Sequence, residues 1–311
     1  MKAAGTVSLH ISHESTTMSK NTNSRDEVIK TWKLYVGGAF PRSESGRSTE
    51  VSDTRGRTIG HVCRASRKDL RDAVEIAGKA AGAWSRRTGY NRGQILYRMA
   101  EMAEGRREEL TQAIRDCGGG SLSEARKETD ATIDRLVSMA GWTDKVEQVH
   151  GCRNQVAGPY HNMSIPEPVG VVGVIAPPTP SLLGLVSMIG PALATGCTVV
   201  ALGSEPHPLP TVLLGEICAT SDVPPGVVNL LTGRKSELLP HFGEHRAFDA
   251  VMAAGLSARQ RKDLQVGAVD ALVRCHPNLD SRPFDDEDHW TSPAALTPCL
   301  EVKTMWHPVG V

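Results

Sequence analysis

Apolar runs and helical patterns alternate along the second half of the chain. Residues 169–175 (VGVVGVI) form a short apolar run bounded by proline, residues 182–194 carry apolar side chains at helical spacing, and residues 198–202 (TVVAL) form another apolar run. Runs without polar positions are typical of strands that are buried on both faces of a parallel sheet. The pattern therefore predicts a strand, a helix and a second strand.

This stretch also resembles a membrane span, because residues 168–204 contain no charged side chain. Pro191 and Gly196 interrupt it, however, and the apolar runs on either side are strand-like. We therefore favour a βαβ unit over a membrane helix. The alternation continues with helical patterns at 211–220 and 236–245 and strand patterns at 226–231 and 248–253. Alternating strands and helices predict an α/β fold with an open parallel, Rossmann-like sheet.

The first half of the chain has a different pattern. Residues 35–63 alternate and are punctuated by glycine, which predicts short strands and hairpins. Long helical patterns follow at 67–84, 91–117 and 121–146. Ser121 precedes Glu124 by three residues, which is typical of a capping box at the start of the last of these helices.

The two ends of the chain are distinct from the central domain at 31–275. Residues 1–30 are rich in Ser, Thr and Asn and lack the apolar region of a secretory signal, so we expect a disordered tail, with Met18 as an alternative start. Residues 276–298 are rich in Pro, Asp and Ser and predict a loop. Residues 299–311 follow, and within them 300–307 (LEVKTMWH) alternate with the period of a strand.

Composition narrows the range of partners. Lys and Arg together number 35, as do Asp and Glu, and aromatic residues make up 4% of the chain, so neither nucleic acid nor an anionic membrane is an expected partner. The seven cysteines are scattered, without a C-x-x-C pair, which predicts reduced thiols in the cytoplasm rather than disulfides or a zinc site. His241 to His245 matches H-x-x-E-H, but Gly243 weakens that helix and a third ligand is missing, so we expect no metal.

Several stretches in a fixed order carry a resemblance to a known family. They are KLYVGGAF at 33–40, AAGAWSRRTGYNRGQILYRMAEM at 80–102, SEARKETDATIDRLVSMAGWTDK at 123–145, PEPVGVVGVIAP at 166–177, PALATGCTVVALGSEPHPLP at 191–210 and VPPGVVNLLTG at 223–233. Together they closely resemble the coenzyme domain of the aldehyde dehydrogenase superfamily. The resemblance implies a domain that binds NAD or NADP, in a family that oxidises aldehydes through a cysteine nucleophile and a thioester.

The chain departs from the family's pattern at the positions that carry chemistry. Thr179 stands where the family has the Asn that donates to the oxyanion, and Leu202 stands where it has the Lys that bonds the adenosine ribose. In the glycine motif that covers the pyrophosphate, the second glycine is Gln260, whose side chain we expect to crowd the phosphate path. The resemblance therefore implies weak or absent binding of NAD or NADP. The candidate cofactor-binding residues that remain are Ser204, Glu205, Gly233 and Gly255.

Two of the family's catalytic motifs do not occur in the sequence: Glu-Leu-Gly-Gly, which carries the general base, and Gly-Gln-x-Cys, which carries the nucleophile. Cys275 lies nearest to this gap, but no base or oxyanion donor accompanies it, so we expect a structural thiol and predict no catalytic residue. Residues 300–304 (LEVKT) resemble the terminal strand by which family members add to a neighbouring subunit. The chain thus resembles the short, catalytically defective aldehyde dehydrogenase-like proteins and the second module of the fused family 16 type.

Three functions stay open at this point. We favour a non-catalytic partner or scaffold that forms homo-oligomers or joins an intact aldehyde dehydrogenase. The alternatives are an NAD(P)-dependent oxidoreductase acting on aldehydes and a vestigial module that binds NAD without chemistry. Two structural alternatives also remain: the strand at 300–307 pairing within its own chain, for example with the hairpins at 35–63, and Glu205 capping a loop instead of binding ribose.

Overall fold

The computed structural model describes residues 28–118 and 120–310. Met18 and most of the predicted tail at 1–30 lie outside the described residues. The strands are β1 Lys30–Trp32, β2 Ser48–Ser52, β3 Thr58–Cys63, β4 Cys152–Asn154, β5 Tyr160–Pro168, β6 Val171–Ile175, β7 Thr198–Leu202, β8 Val228–Leu231, β9 Ala250–Ala253, β10 Arg274–His276 and β11 Leu300–Pro308. The helices are α1 Arg67–Ser85, α2 Gly89–Gly105, α3 Arg107–Gly118, α4 Leu122–Trp142, α5 Val146–His150, α6 Leu183–Thr195, α7 Leu209–Ala219, α8 Lys235–Glu244, α9 Ala258–Ala271 and α10 Glu287–Trp290, with 3-10 turns at Leu279–Ser281 and Pro293–Cys299.

A parallel five-stranded sheet in the order β10-β9-β6-β7-β8 forms the centre of the domain. Strands β6, β7, β8 and β9 are buried at every position, which is why their sequences are largely apolar. At Gly173 in β6, an added Cβ would lie 3.0 Å from both Phe242 and Phe248, so glycine lets these two rings pack on the sheet. The predicted α/β, Rossmann-like fold is confirmed.

The predicted strand, helix and strand of the uncharged stretch are β6, α6 and β7. Within the residues that the structure describes, no helix is both long and apolar enough to cross a membrane. The capping box of Ser121 and Glu124 is present at the start of α4. The prediction of a single helix at 91–117 is wrong: the helix is interrupted at Arg106, next to Gly105, and the segment forms α2 and α3. Glycine is a poor helix former, and the break turns α3 so that Leu110 and Ile114 are buried.

A second sheet, in the order β11-β5-β4, is antiparallel. We call this three-stranded sheet the arm. The predicted strand at 300–307 is its β11, which pairs over nine residues with β5 of the same chain, from Leu300 opposite Pro168 to Pro308 opposite Tyr160. It does not pair with the strands between 35 and 63, which form a sheet of their own with β1. The sequence analysis did not predict β4 or β5.

The segment expected to be a loop, 276–298, contains short helical pieces and contributes to the core. Phe284 and Trp290 are 4% and 2% exposed and stack with their ring centroids 5.0 Å apart. The buried guanidinium of Arg135 on α4 donates to Ser187 Oγ on α6 and, at 3.1 Å, to the carbonyl oxygen of Phe284. Burial lowers the pKa of Arg135 to about 10. This arginine therefore ties the segment to two helices of the domain.

Candidate functional site

The strand order of the central sheet reverses between β6 and β9, since the chain runs from β6 to β7 and β8 and then returns to the other side of β6. In open α/β sheets, ligands bind beyond the carboxyl ends of the strands at such a point. Two cavities lie there, one of about 630 Å³ and one of about 490 Å³, and Gly255 lines both. We call the larger the sheet-edge cleft and the smaller the proline-loop cavity.

Three of the four predicted cofactor-binding residues line the sheet-edge cleft: Glu205, Gly233 and Gly255. The fourth, Ser204, does not line it. Its side chain is buried, donates to the carbonyl oxygen of Pro178 at 2.8 Å and accepts from the amide of His207 at 3.3 Å. Ser204 therefore links the loops that follow β6 and β7, a structural task that the resemblance did not indicate.

The carboxylate of Glu205 is engaged with a helix. Its Oε2 atom accepts from the backbone amide of Lys235 at 2.8 Å, at the first residue of α8. Arg234, which precedes that helix, provides no side-chain cap. A carboxylate at this end also suits the positive end of the helix dipole. The geometry matches the capping alternative for Glu205, and leaves its part in ribose binding a prediction.

Lys235 is a site residue that the sequence analysis missed. The side chain is largely buried in the cleft, and Nζ donates to the carbonyl oxygens of Ala176 and Gly255, at 3.4 Å each. Burial lowers the pKa of this amine, while the carboxylates of Glu205 and Asp280 oppose the shift. The ammonium thus bridges the loops after β6 and β9, and no sequence pattern marks a lysine for burial at the start of a helix.

The side chain of Gln260 is also bound to the first turn of its own helix. Its Oε1 accepts from the amide of Ser257 at 2.9 Å, and Ser257 Oγ accepts from the amide of Gln260 at 3.2 Å, so the two form the capping box of α9. The side chain lines the cleft at the helix N-terminus, the end at which phosphate groups bind in proteins. Leu202, on the neighbouring β7, is fully buried and offers no polar group.

The proline-loop cavity lies between the Pro177–Pro180 turn, α4 and the segment after β10. Glu128 on α4 projects from one wall, and its Oε1 accepts from the amides of Leu182 and Leu183 at 2.8 and 3.3 Å. Burial raises the pKa of Glu128, although these amides oppose the shift. Since α6 has no side-chain cap from its own first residues, Glu128 supplies one from 54 residues earlier in the chain.

Comparisons with known proteins identify the family. The sequence profile described as the aldehyde dehydrogenase family matches residues 40–276, most of the chain. The chain belongs to this family.

Among Arabidopsis thaliana proteins, aldehyde dehydrogenase family 2 member C4 is 30% identical over 84% of this chain, and the mitochondrial member B4 is 33% identical over 72%. The NAD+ complex of an aldehyde dehydrogenase from Bacillus cereus superposes with a TM-score of 0.75 at 29% identity, over 79% of this chain and 50% of that one. The chain spans about half the length of these relatives: 53% of member C4 and 42% of member B4.

The resemblance implies a cysteine nucleophile, and none of the described cysteines lines either cavity. Cys275 is on β10, half-buried, and burial raises its pKa. Burial also raises the pKa of Cys117 to about 11 and of Cys218 to about 12. These shifts favour the thiol over the nucleophilic thiolate. Among the described residues, no group of three or more His, Cys, Asp or Glu side chains is placed to hold a metal ion.

Proposed function

We propose that this member of the aldehyde dehydrogenase family does not oxidise aldehydes and serves as an oligomerisation partner or scaffold, for an intact aldehyde dehydrogenase or for copies of itself. One observation carries the proposal. No described cysteine lines the two cavities at the carboxyl edge of the central sheet, whereas the arm, whose strand β11 follows the family-type domain, is fully formed. The described residues thus offer a strand edge for assembly and place no thiol at the cavities where the chemistry would take place.

The chemistry of the proline turn supports the same conclusion. Thr179 lines the proline-loop cavity at the position where the resemblance places an oxyanion-donating Asn. Its hydroxyl is shorter than an Asn amide, and the loss of one oxyanion donor typically lowers the rate by about 100 to 1,000 fold. No described cysteine lines this cavity to form the tetrahedral adduct that such a donor would stabilise.

The cofactor side of the proposal rests on the sheet-edge cleft. We expect weak or absent binding of NAD or NADP, because Glu205 and Gln260 are occupied as helix caps and Leu202 is buried. A vestigial NAD-binding module remains the second candidate, favoured by the open cleft of about 630 Å³ at the switch point of the sheet.

Activity measurements test the proposal directly. The purified protein should not reduce NAD or NADP with short aliphatic or aromatic aldehydes, and light scattering should show oligomers or co-purification with an intact aldehyde dehydrogenase from its own cell extract. Turnover that disappears in the Cys275→Ala variant would establish an oxidoreductase instead. A monomeric protein that retains no dehydrogenase would contradict the assembly function.

A further inference from the structure

The outer strand of the arm has a free edge whose direction can be assigned from two hydrogen bonds. The amide of Val169 donates to the carbonyl oxygen of Cys299 at 3.0 Å, and the amide of Val309 donates to that of Pro159 at 2.8 Å. Hydrogen-bonded pairs recur at every second residue of an antiparallel ladder. The odd-numbered residues of β11, from Glu301 to His307, therefore turn their backbone groups toward β5.

The even-numbered residues Leu300, Val302, Thr304 and Trp306 consequently turn their N–H and C=O groups to the other side of β11. The prolines of the arm are consistent with this assignment, since Pro166 and Pro168 stand opposite Val302 and Leu300, in pairs that exchange no hydrogen bond. No described strand pairs with this outer edge. Val302 and Trp306 are 56% and 60% exposed beside it.

A long, exposed and partly apolar edge is a template for another strand. We infer that the edge of β11 pairs with β11 of a second copy of this chain, antiparallel and centred on Thr304, so that the two arms join into one continuous sheet. The inference deepens the assembly function proposed above and rests on it.

The side chains of β11 favour this self-pairing and this register. Centring on Thr304 overlaps the whole of both nine-residue strands and places outward-facing backbone groups opposite one another. Val302 then lies across from Trp306 of the second copy, and Glu301 across from His307. Aromatic with β-branched pairs and Thr with Thr pairs are cross-strand pairs that stabilise a sheet.

Two neighbouring registers are less favourable. A shift that centres the pairing on Lys303 sets two ammonium groups directly opposite, and like charges in that position destabilise a sheet. A shift that centres it on Val302 would place Trp306 opposite residue 298, which lies in the 3-10 turn Pro293–Cys299, so the indole would stay exposed. Lys303 and Glu301 already have partners within the chain, Glu167 and Arg274, and those ion pairs leave the edge unobstructed.

Cysteine cross-linking tests the register. The test uses a Cys152→Ser background, which removes the exposed thiol of β4. In this background, Thr304→Cys places one thiol from each copy at the two-fold axis of the proposed dimer. The Cα atoms would then be about 5.5 Å apart, within disulfide range. We expect most of this variant to run as a disulfide-linked dimer after mild oxidation with oxidised glutathione.

Val302→Cys in the same background is the matched control. Its two copies would be roughly 13 Å apart along the paired strands, too far for a disulfide, so the variant alone should stay unlinked. A mixture of Val302→Cys and Trp306→Cys proteins should form the mixed disulfide. In addition, Thr304→Pro removes an outward N–H without touching the ladder to β5, and should weaken dimerisation at least tenfold by light scattering.

The outcomes separate the inference from the proposed function. An oligomer in which Thr304→Cys does not link, or links no better than Val302→Cys, would overturn the β11 pairing and leave the assembly function standing on another surface. Co-purification with an intact aldehyde dehydrogenase, without Thr304→Cys linkage, would do the same. A monomeric chain that binds no dehydrogenase would contradict both.

Discussion

The sheet-edge cleft and the arm deal with their polar groups in opposite ways. In the cleft, Glu205 and Gln260 cap helices, and the ammonium of Lys235 rests on two carbonyl oxygens. In the arm, β11 presents a row of backbone donors and acceptors that nothing in the described chain satisfies. A protein interior must pair its polar groups, whereas a strand edge kept open suits a partner. The polar side chains that line the cleft are therefore bound within the chain, whereas the edge of the arm is open, and we expect any partner to bind at the arm.

The segment after β10 also binds within the chain, since it forms one wall of the proline-loop cavity. Phe284 and Trp290 fill the core there, and the indole N–H of Trp142 donates to the carbonyl oxygen of Thr291 at 2.6 Å. Asp280 accepts from the amide of Gly255 at 2.9 Å, so the segment also holds the loop after β9. Two of the predictions below compare matched residues in the domain core and the arm, and the third tests the cleft with NAD.

The largest effect is expected from two tryptophans. Trp290→Ala removes a ring that is 2% exposed and a hydrogen bond of 2.9 Å to the carbonyl oxygen of Pro283, so it should lower the free energy of unfolding by about 3–5 kcal/mol. Trp306→Ala, in the arm, should cost under about 1 kcal/mol at concentrations where the chain is monomeric. Urea denaturation measures both. Equal losses would show that the segment after β10 is no more part of the core than the arm is.

A smaller effect, of opposite sign in the two regions, is expected from two glutamates. Burial raises the folded-state pKa of Glu128, so its contribution to stability falls as pH rises from about 4.3, the ordinary value, through the folded pKa. Its bond with Arg274 lowers the pKa of Glu301, so that contribution is present above the ordinary value and is lost as pH falls.

In the native protein, the free energy of unfolding should decline above pH 4 by about 1.4 kcal/mol for each pH unit between the unfolded-state and the folded-state pKa of Glu128. Glu128→Gln should remove this decline. The amide oxygen of Gln can still accept from Leu182. Glu301→Gln should instead flatten a rise in stability over the acid range. Unfolding curves collected between pH 3 and 8 give both slopes, and slopes of the same sign would contradict the contrast.

The smallest effect is expected from the cofactor. If the dissociation constant of NAD is about 10 mM or weaker, 1 mM NAD stabilises the fold by less than about 0.1 kcal/mol, whereas a constant of 10 µM would give about 2.7 kcal/mol. Thermal unfolding with and without NAD should therefore coincide. A clear stabilisation that is lost in Glu205→Ala would establish a working cofactor site and favour the sensor function.

Much of the fold could be predicted from the chain, because each element carries a local signal. The largely apolar runs of β6, β7 and β8 predict strands, and the Ser121 to Glu124 spacing predicts a helix start, without knowledge of neighbouring elements. Strand β5 escaped prediction because Pro166, Pro168 and Asn162 are residue types typical of loops. These residues are tolerated in β5 because no residue of β4 stands opposite either proline, and because the side-chain amide of Asn154 donates to Asn162 Oδ1.

The sequence by itself determined the family, the parallel α/β fold and the absence of the two catalytic motifs, since these are written in residue order and type. Only the tertiary structure decided what the remaining polar groups do. Glu128 meets the amides of α6 across 54 residues, and Lys235 meets Gly255 across 20. Such partners depend on how strands and helices pack in space, and the order of residues along the chain does not show which distant group a buried polar side chain meets.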